Sequence, residues 1–195
     1  MRYDKDNFSS YYHEVSSMLR RFQLPKWEDF PDLELYMDQM IVLINRYLAI
    51  GDGGEEKVVT ASMINNYVKM RIMPPPVKKK YGKAHLAYLV VICSLKDALG
   101  ISAIQKMFPP DLEGEMLRIR YNSFVVNQLK AYQFVADNTD SVAIPLLQEQ
   151  ERISDRIYDL VMQVGVCASI TKTLAERFIS QQENDAPDAN KIKTE

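Results

Sequence analysis

A run of basic residues with no acidic neighbour carries the clearest chemistry in this 195-residue chain. Between residues 57 and 96 there is no Asp or Glu, and the eight cations are Lys57, Lys69, Arg71, Lys78, Lys79, Lys80, Lys83 and Lys96. The rest of the chain has 16 basic and 26 acidic residues, a net charge of −10. Ammonium and guanidinium groups clustered in this way are suited to binding phosphate groups.

A group of cations is most often only a solvated surface. Such surfaces usually mix both signs, because mixed signs form local ion pairs and avoid self-repulsion. A patch of one sign destabilises the folded chain unless an anionic partner uses it. The absence of acids therefore favours an anionic partner, and phosphate backbones are the commonest partner of this kind.

The apolar residues recur at helical spacing along nearly the whole chain. This predicts an all-α fold with, at most, a minimal wing hairpin near residues 74–82. A first helix is expected over Asn7–Phe22, and Trp27 and Phe30 are expected to pin the following connector to the body. Asp32 is placed to cap a second helix over Leu33–Ala49.

The basic stretch contains a short helix, a proline break and a longer helix. Gly51–Gly54 interrupts the chain before it. Thr60 is a suitable N-cap for a helix from Ala61 to about Met70. Met73–Pro76 cannot be helical, because proline lacks the N–H donor and restricts the residue before it. The expected elements that follow are an extended segment at Val77–Tyr81 and helices at Lys83–Leu99 and Ser102–Pro109.

The last third of the chain predicts three more helices. They are expected at Leu112–Val135, Pro145–Val164 and Cys167–Gln181, with a polar break at Asp137–Asp140 between the first two. The predicted domains are an N-terminal helical arm at 1–31, a central domain at 32–110, a C-terminal helical region at 111–182 and a disordered tail at 183–195.

The segment from Val58 to Phe108 has Tyr67 in its short helix and the pair Lys80-Tyr81 before its longer helix. With these residues it resembles the DNA-binding domain of the mercury-resistance-regulator (MerR) superfamily. Tyr67 matches the tyrosine of that family's recognition helix, and Lys80-Tyr81 matches the Arg-Tyr pair that opens its next helix. Two positions differ, since Asn65 and Arg71 stand where the family has arginine and glycine. The other matching residues are Ile72, Met73, Pro75, Leu86, Leu89, Leu99, Gly100, Ile101, Ser102 and Ile104.

A second resemblance covers about Pro31 to Phe108. The residues that carry it are Tyr36–Gln39, Met63–Lys69 and Pro75–Tyr81. Through them the chain is similar to a bacterial family catalogued as domain of unknown function 1836. The family has been described mainly as DNA-binding or transcription-associated, so this resemblance points in the same direction as the first.

The resemblance to a helix-turn-helix implies roles for individual residues. The exposed N-terminal part of the recognition helix would read base edges, for which asparagine is suited by its bidentate pairing with adenine. Lysines of the turn would grip phosphates and fix register. The predicted DNA-contacting residues are Thr60, Ser62, Asn65, Asn66, Lys69, Arg71, Lys78, Lys79, Lys80, Tyr81, Lys83 and His85.

Each of these roles has a structural alternative. Asn65 and Asn66 could serve only to solvate a helix surface. Tyr67 is expected in the core rather than in contact with a ligand, and His85 is expected on a helix surface. Tyr81 and His85 could also pack against the proline turn instead of bonding a phosphate.

Other classes of protein are not favoured by the sequence. We find no P-loop, no Gly-x-Ser-x-Gly and no metal-binding histidine pair, so we expect neither an enzyme nor a bound metal or cofactor. Cys93 and Cys167 fall in apolar helical patterns and are expected to be small core residues in a reducing compartment. The longest apolar stretch, Leu86–Leu95, is too short to span a bilayer, so we expect no membrane partner and a cytoplasmic location.

The sequence thus predicts a sequence-specific, double-stranded-DNA-binding regulator of transcription. The alternative is a non-enzymatic protein–protein adaptor with a degenerate helix-turn-helix, in which the lysines meet an acidic protein. The apolar helix at Leu112–Val135 could pack on the N-terminal arm of the same chain, or it could contribute to a homodimer formed through the C-terminal helices. Methionine and aromatic residues could line a pocket for an effector ligand, but the same composition is equally that of an ordinary core.

Overall fold

The fold is described from a computed structural model, which defines residues 5–49, 58–148 and 153–184. These residues form seven α-helices and a short 3-10 helix at Trp27–Asp29. In chain order the α-helices are α1 (Lys5–Arg21), α2 (Met37–Leu48), α3 (Ala61–Lys69), α4 (Lys83–Leu95), α5 (Ile101–Met107), α6 (Gly114–Gln148) and α7 (Ile153–Asn184).

The all-α prediction is confirmed. Within the described ranges, the only extended pairings are two isolated antiparallel bridges, Leu35 with Tyr81 and Val77 with Lys80. The second bridge closes the minimal hairpin that was expected near residues 74–82.

Helix α4 is the centre of the molecule. Nine consecutive residues, His85 to Cys93, are buried, so this helix is covered on all sides rather than on one face. Helices α2, α5 and α6 pack around it. Complete burial of a leucine, valine or isoleucine side chain contributes about 1.5–3 kcal/mol, which makes α4 the main source of apolar stabilisation in the fold.

The connector after α1 is pinned to α6, as the two aromatic residues predicted. The rings of Trp27 and Phe30 both contact the ring of Tyr121, at centroid distances of 6.4 and 5.0 Å. The Tyr121 hydroxyl donates a hydrogen bond to the carbonyl of Pro25 at 2.8 Å. The connector and the first half of α6 therefore belong to the core of the central domain, although the predicted boundaries at 31 and 111 separate them.

Helix α1 packs along α6 by an aromatic stack and a polar cluster. The rings of Phe22, just beyond α1, and Tyr132 lie 4.8 Å apart. The Asp140 carboxylate accepts hydrogen bonds from Tyr12, Ser16 and Arg20. Packing of the last-third helix on the N-terminal arm, one of the two arrangements considered from the sequence, is therefore present.

The predicted break at Asp137–Asp140 is wrong, because α6 continues through it. Asn138 and Thr139 donate side-chain hydrogen bonds to the carbonyls of Phe134 and Val135, one turn earlier in the helix. Asp137 and Asp140 form ion pairs with Arg20 of α1. Asn138 and Thr139 are thus accommodated by bonds within α6 itself, whereas the two aspartates are paired by α1.

Other helix boundaries also differ from the predictions. Helix α2 begins at Met37 instead of Leu33, because Leu35 is held in the extended bridge to Tyr81. The Gln39 side chain accepts a hydrogen bond from the Tyr36 amide at the start of the helix. Helix α4 ends at Leu95, and α7 runs without interruption through Gly165. Cys93 is buried as expected, but Cys167 is exposed.

The predicted glycine break at 51–54 and residues 185–195 of the predicted tail lie outside the described residues. Helix α7 already extends to Asn184, which is beyond the predicted end at Gln181. Among the helices that are described, none is both long enough and apolar enough to cross a membrane.

Candidate nucleic-acid interface

Helix α3 lies on the core with one face and presents a polar face to solvent. Ile64 and Tyr67 are buried on its inner side. The Thr60 hydroxyl accepts a hydrogen bond from the Met63 amide at 3.3 Å, so Thr60 is the N-cap that the sequence predicts. The predicted base-reading and phosphate-binding side chains of this helix are all exposed: Ser62, Asn65, Asn66 and Lys69.

A single asparagine in α2 fixes the entrance to α3. The Asn45 side chain accepts a hydrogen bond from the Val59 amide at 3.1 Å and donates a second one to the Val59 carbonyl at 3.3 Å. These two bonds reproduce the pairing of a β-bridge, and they hold the residue before Thr60 in place. The relative placement of α2 and α3 therefore does not rest on apolar packing alone.

The exit from α3 is a Schellman turn with an unusual residue. The Ile72 amide bonds to the Tyr67 carbonyl and the Arg71 amide bonds to the Val68 carbonyl, both at 3.0 Å. This pattern requires a left-handed residue at the position after the C-cap, which is normally glycine. Arg71 occupies it with φ of 55°, and its guanidinium group is exposed.

The lysine-rich segment is a two-residue β-hairpin turn. Val77 and Lys80 exchange both backbone hydrogen bonds, at 3.1 and 2.9 Å. Between them Lys78 and Lys79 have φ of 50° and 65°. Two successive positive φ angles define the type I′ turn, for which Asn-Gly is the preferred sequence. Lysine at both positions is strained, and strain of this kind is concentrated at functional sites.

Two buried residues brace this hairpin against the body. Tyr81 exchanges backbone hydrogen bonds with Leu35 at 2.8 and 2.9 Å. His85 Nδ1 accepts a hydrogen bond from the Gly82 amide at 3.0 Å. Nε2 therefore carries the ring proton, and it donates a hydrogen bond to the Pro75 carbonyl at 3.1 Å. The His85 ring therefore ties the start of α4 to the proline turn, and the lysine pair projects from a fixed base.

Tyr81 and His85 are thus structural residues in this conformation. Their side chains are 3% and 8% exposed, which leaves neither available to a phosphate. Burial raises the pKa of Tyr81, and it raises the pKa of Tyr67 to about 12. The prediction that Tyr67 lies in the core is confirmed, whereas His85 is not on the helix surface where it was expected.

The basic surface is less uniform in space than in sequence. Lys83 forms an ion pair with Asp32 at 2.7 Å, and Lys80 lies 3.9 Å from Glu34. The Lys80 ammonium also lies 6.0 Å from the ring centre of Tyr36. Both acids come from the segment before α2, so tertiary structure brings in negative charge that the local sequence lacks.

Four cations of the basic stretch have no such partner among the described residues. In the part of the chain that the structure describes, no carboxylate forms an ion pair with Lys69, Arg71, Lys78 or Lys79. All four side chains are exposed. Lys57, the remaining member of the stretch before α3, lies outside the described residues.

The groups that this surface presents to solvent are suited to binding. The described residues contain no group of three or more His, Cys, Asp and Glu side chains that could hold a metal ion. Burial raises the pKa of the Cys93 thiol to about 12, so this thiol is protonated and unreactive near neutral pH. The groups offered to solvent are amides, a hydroxyl and permanent cations, which bind anions and base edges.

Sequence reasoning missed the two backbone features of the site. Nothing in Lys78-Lys79 signals a type I′ turn, because the usual signal is Asn-Gly. Arg71 was visible as a departure from glycine at the exit of a helix, and that departure was the available clue to its left-handed backbone. The pairing of Lys80 and Lys83 with Glu34 and Asp32 had no local signal, since more than 40 residues separate the partners.

Comparison with known proteins identifies the family. Residues 25–129, more than half of the chain, match the family described as Domain of unknown function (DUF1836). The chain therefore belongs to the DUF1836 family. No curated protein and no solved structure matches it.

The matched range coincides with the central core. That core extends from Leu24 and Phe30 in the connector to Tyr121 and Val125 in α6. The hairpin, α3 and their supports all fall within it, whereas α1, the second half of α6 and α7 lie outside. The candidate interface accordingly lies within the matched range.

Proposed function

We propose that this protein binds double-stranded DNA as a non-enzymatic, sequence-specific regulator of transcription. In this proposal α2 and α3 form a MerR-like helix-turn-helix, with α3 as the recognition helix. The hairpin from Pro75 to Tyr81 serves as a short wing that contacts the phosphate backbone.

The lysine turn is the observation that carries the proposal. Two adjacent lysines in left-handed conformation cost stability, and asparagine or glycine would relieve that cost at either position. Both side chains are exposed, and no described carboxylate pairs with them. Two positive charges retained at a strained, braced tip are explained by an anionic ligand.

Salt dependence of binding to random duplex DNA tests this role. We expect the logarithm of the affinity to fall with the logarithm of salt concentration by about 0.9 for each phosphate contacted. The variant Lys78→Asn/Lys79→Gly removes both charges and provides the preferred type I′ sequence, so the turn remains folded. Its slope should be smaller than the wild-type slope by about two units.

The matched control removes two exposed lysines elsewhere, in Lys130→Gln/Lys172→Gln on α6 and α7. Its slope should equal that of the wild type if the turn is the contact. Failure of the wild type to bind DNA at low salt would refute the proposal. If both variants lost salt slope equally, the DNA binding would be a nonspecific effect of net charge and not a contact made by the turn.

Sequence reading by α3 is tested separately. Asn65→Ala/Asn66→Ala should bind random DNA with an unchanged salt slope, because neither residue is charged. In selection from a random pool it should lose the preference shown by the wild type, since a bidentate asparagine–adenine pair discriminates by about 1–3 kcal/mol. If the variant kept the wild-type preference for DNA sequence, α3 would not be the helix that contacts the bases.

An adaptor for an acidic protein is the second candidate. It is favoured by the observation that this surface already binds carboxylates, those of Asp32 and Glu34. Polyglutamate serves as a probe for it. Retention of polyglutamate that depends on Lys78 and Lys79, in the absence of DNA binding, would favour the adaptor.

A further inference from the structure

The middle of α7 presents an exposed stretch of uncharged residues. Every residue from Val161 to Leu174 is exposed, and no residue from Leu160 to Thr171 is charged. Large apolar side chains occupy much of this stretch: Val161, Met162, Val164, Val166, Ile170 and Leu174 are each 45–54% exposed. An apolar surface of this extent on a folded chain usually marks an interface.

The ends of α7 establish which side of the helix faces outward. Ile157 and Leu160 are buried in a small cluster with Tyr12 and Ala143. Near the other end, Ala175 and Ile179 pack against the central core. At about 100° of rotation per residue, the opposite side of α7 carries Asp155, Asp159, Met162, Val166, Ile170 and Arg177.

This outward side has a symmetric pattern. Met162 and Ile170 each lie four residues from Val166. Asp155 and Arg177 each lie eleven residues from Val166, on opposite sides of it. Neither forms an ion pair with another described residue, and both are exposed. Acid, apolar centre and base therefore follow one another along a single helix face.

We propose that α7 pairs in antiparallel orientation with α7 of a second copy of this chain, about a twofold axis at Val166. Antiparallel pairing places Val166 on Val166, Met162 on Ile170, and Asp155 on Arg177 twice. Such an interface is isologous, because the same patch is used by both subunits. The apolar centre excludes water, and the two outer ion pairs fix orientation and register.

A second copy suits this face better than nucleic acid does. Residues 160–171 contain no cation for a phosphate, whereas α7 supplies an apolar match at its centre and complementary charges at Asp155 and Arg177. One helix pair is small beside standard interfaces of roughly 800 Å² per partner, so we expect a dimer that dissociates on dilution. The inference does not depend on whether the protein binds DNA.

Sedimentation velocity of the full chain, across about a hundredfold dilution series, tests the dimer. We expect the wild type to dissociate with dilution, and Val166→Asp to be monomeric throughout, because it places two carboxylates together on the axis. Val166 is 53% exposed, so the monomer should keep its circular dichroism spectrum and melting temperature. A wild type that is monomeric at every concentration, or a Val166→Asp variant that remains dimeric, would overturn the proposal.

Charge exchange tests the antiparallel register. Asp155→Arg and Arg177→Asp should each weaken the dimer, because each places like charges opposite one another at both ends. The double variant Asp155→Arg/Arg177→Asp should restore dimerisation to the wild-type level. In a parallel pair each residue would face its own copy, so neither single substitution would change the charge pairing. Single variants that dimerise as the wild type does, or absence of rescue in the double variant, would overturn the antiparallel arrangement.

Discussion

Lys78 and Lys79 show how a single residue can be placed against its own conformational preference. The left-handed region costs a residue with a β-carbon about 1–2 kcal/mol relative to the right-handed region. Arg71, at the end of α3, is in the same condition. All three strained residues are exposed cations, so the strain and the positive charge occur at the same places on the surface.

Relief of this strain should stabilise the fold. We expect Lys78→Asn/Lys79→Gly to raise the free energy of unfolding by about 1 kcal/mol, since part of the gain is offset by the greater chain entropy of glycine when unfolded. Urea denaturation measures the change. As a control, Lys69→Gly replaces a residue with ordinary helical backbone and should lower stability by about 0.5–1 kcal/mol. A less stable turn variant would show that the turn is not strained.

At the scale of the element, Asp140 of α6 is the polar link to α1. Burial of this carboxylate alone would raise its pKa, but hydrogen bonds from Tyr12, Arg20 and Ser16 outweigh that effect and the pKa of Asp140 is lowered. A carboxyl group with a lowered pKa in the folded state stabilises the fold while it is ionised.

The stabilisation by Asp140 should depend on pH. It is fully present above the pKa of the unfolded carboxyl, about 3.9, and is lost as the pH falls through the lower folded value. We expect Asp140→Asn to lower the free energy of unfolding at neutral pH by about 2 kcal/mol. The difference from the wild type should shrink as the pH falls below about 4.

The neighbouring Asp137→Asn is the matched control for this measurement. Asp137 has an exposed ion pair with the same arginine, and an exposed pair contributes at most about 1 kcal/mol. Equal effects of the two substitutions, or a difference that does not vary with pH, would contradict the assigned role of Asp140.

At the scale of the whole molecule, the described residues form two cores of unequal size. The central core surrounds α4 and coincides with the family domain. The second consists of Tyr12, Ala143, Ile157 and Leu160, with a few partly buried neighbours. The small cluster buries far less apolar surface, so the helices that it joins should open more readily than α4.

Native-state hydrogen exchange should resolve the two cores. Amides in the middle of α4 should exchange only through global unfolding, whereas amides of α1 should exchange at a lower free energy. Asp140→Asn should accelerate exchange in α1 and leave the hairpin amides of Lys80 and Tyr81 unchanged relative to global stability. Equal protection of α1 and α4 would show a single cooperative unit instead.

Much of the architecture follows from local sequence. Apolar spacing was enough to place most helices, and Thr60 and the prolines were enough to delimit α3, because caps and helix breakers act within a few residues. The aromatic pair Trp27 and Phe30 correctly predicted a pinned connector. The helical spacing of the polar residues likewise predicted the exposed face of α3.

Tertiary structure decided the features that depend on distant partners. The segment Asp137–Asp140 remains helical while Arg20 pairs with Asp137 and the Tyr12 hydroxyl donates a hydrogen bond to Asp140. Both partners lie more than 115 residues earlier in the chain. Acids from before α2 form ion pairs with Lys80 and Lys83 and offset part of their positive charge. Lys78 and Lys79 are then the lysines of the turn that have no such pair among the described residues. Local propensity is blind to such contacts, since they form only when packing brings remote segments together.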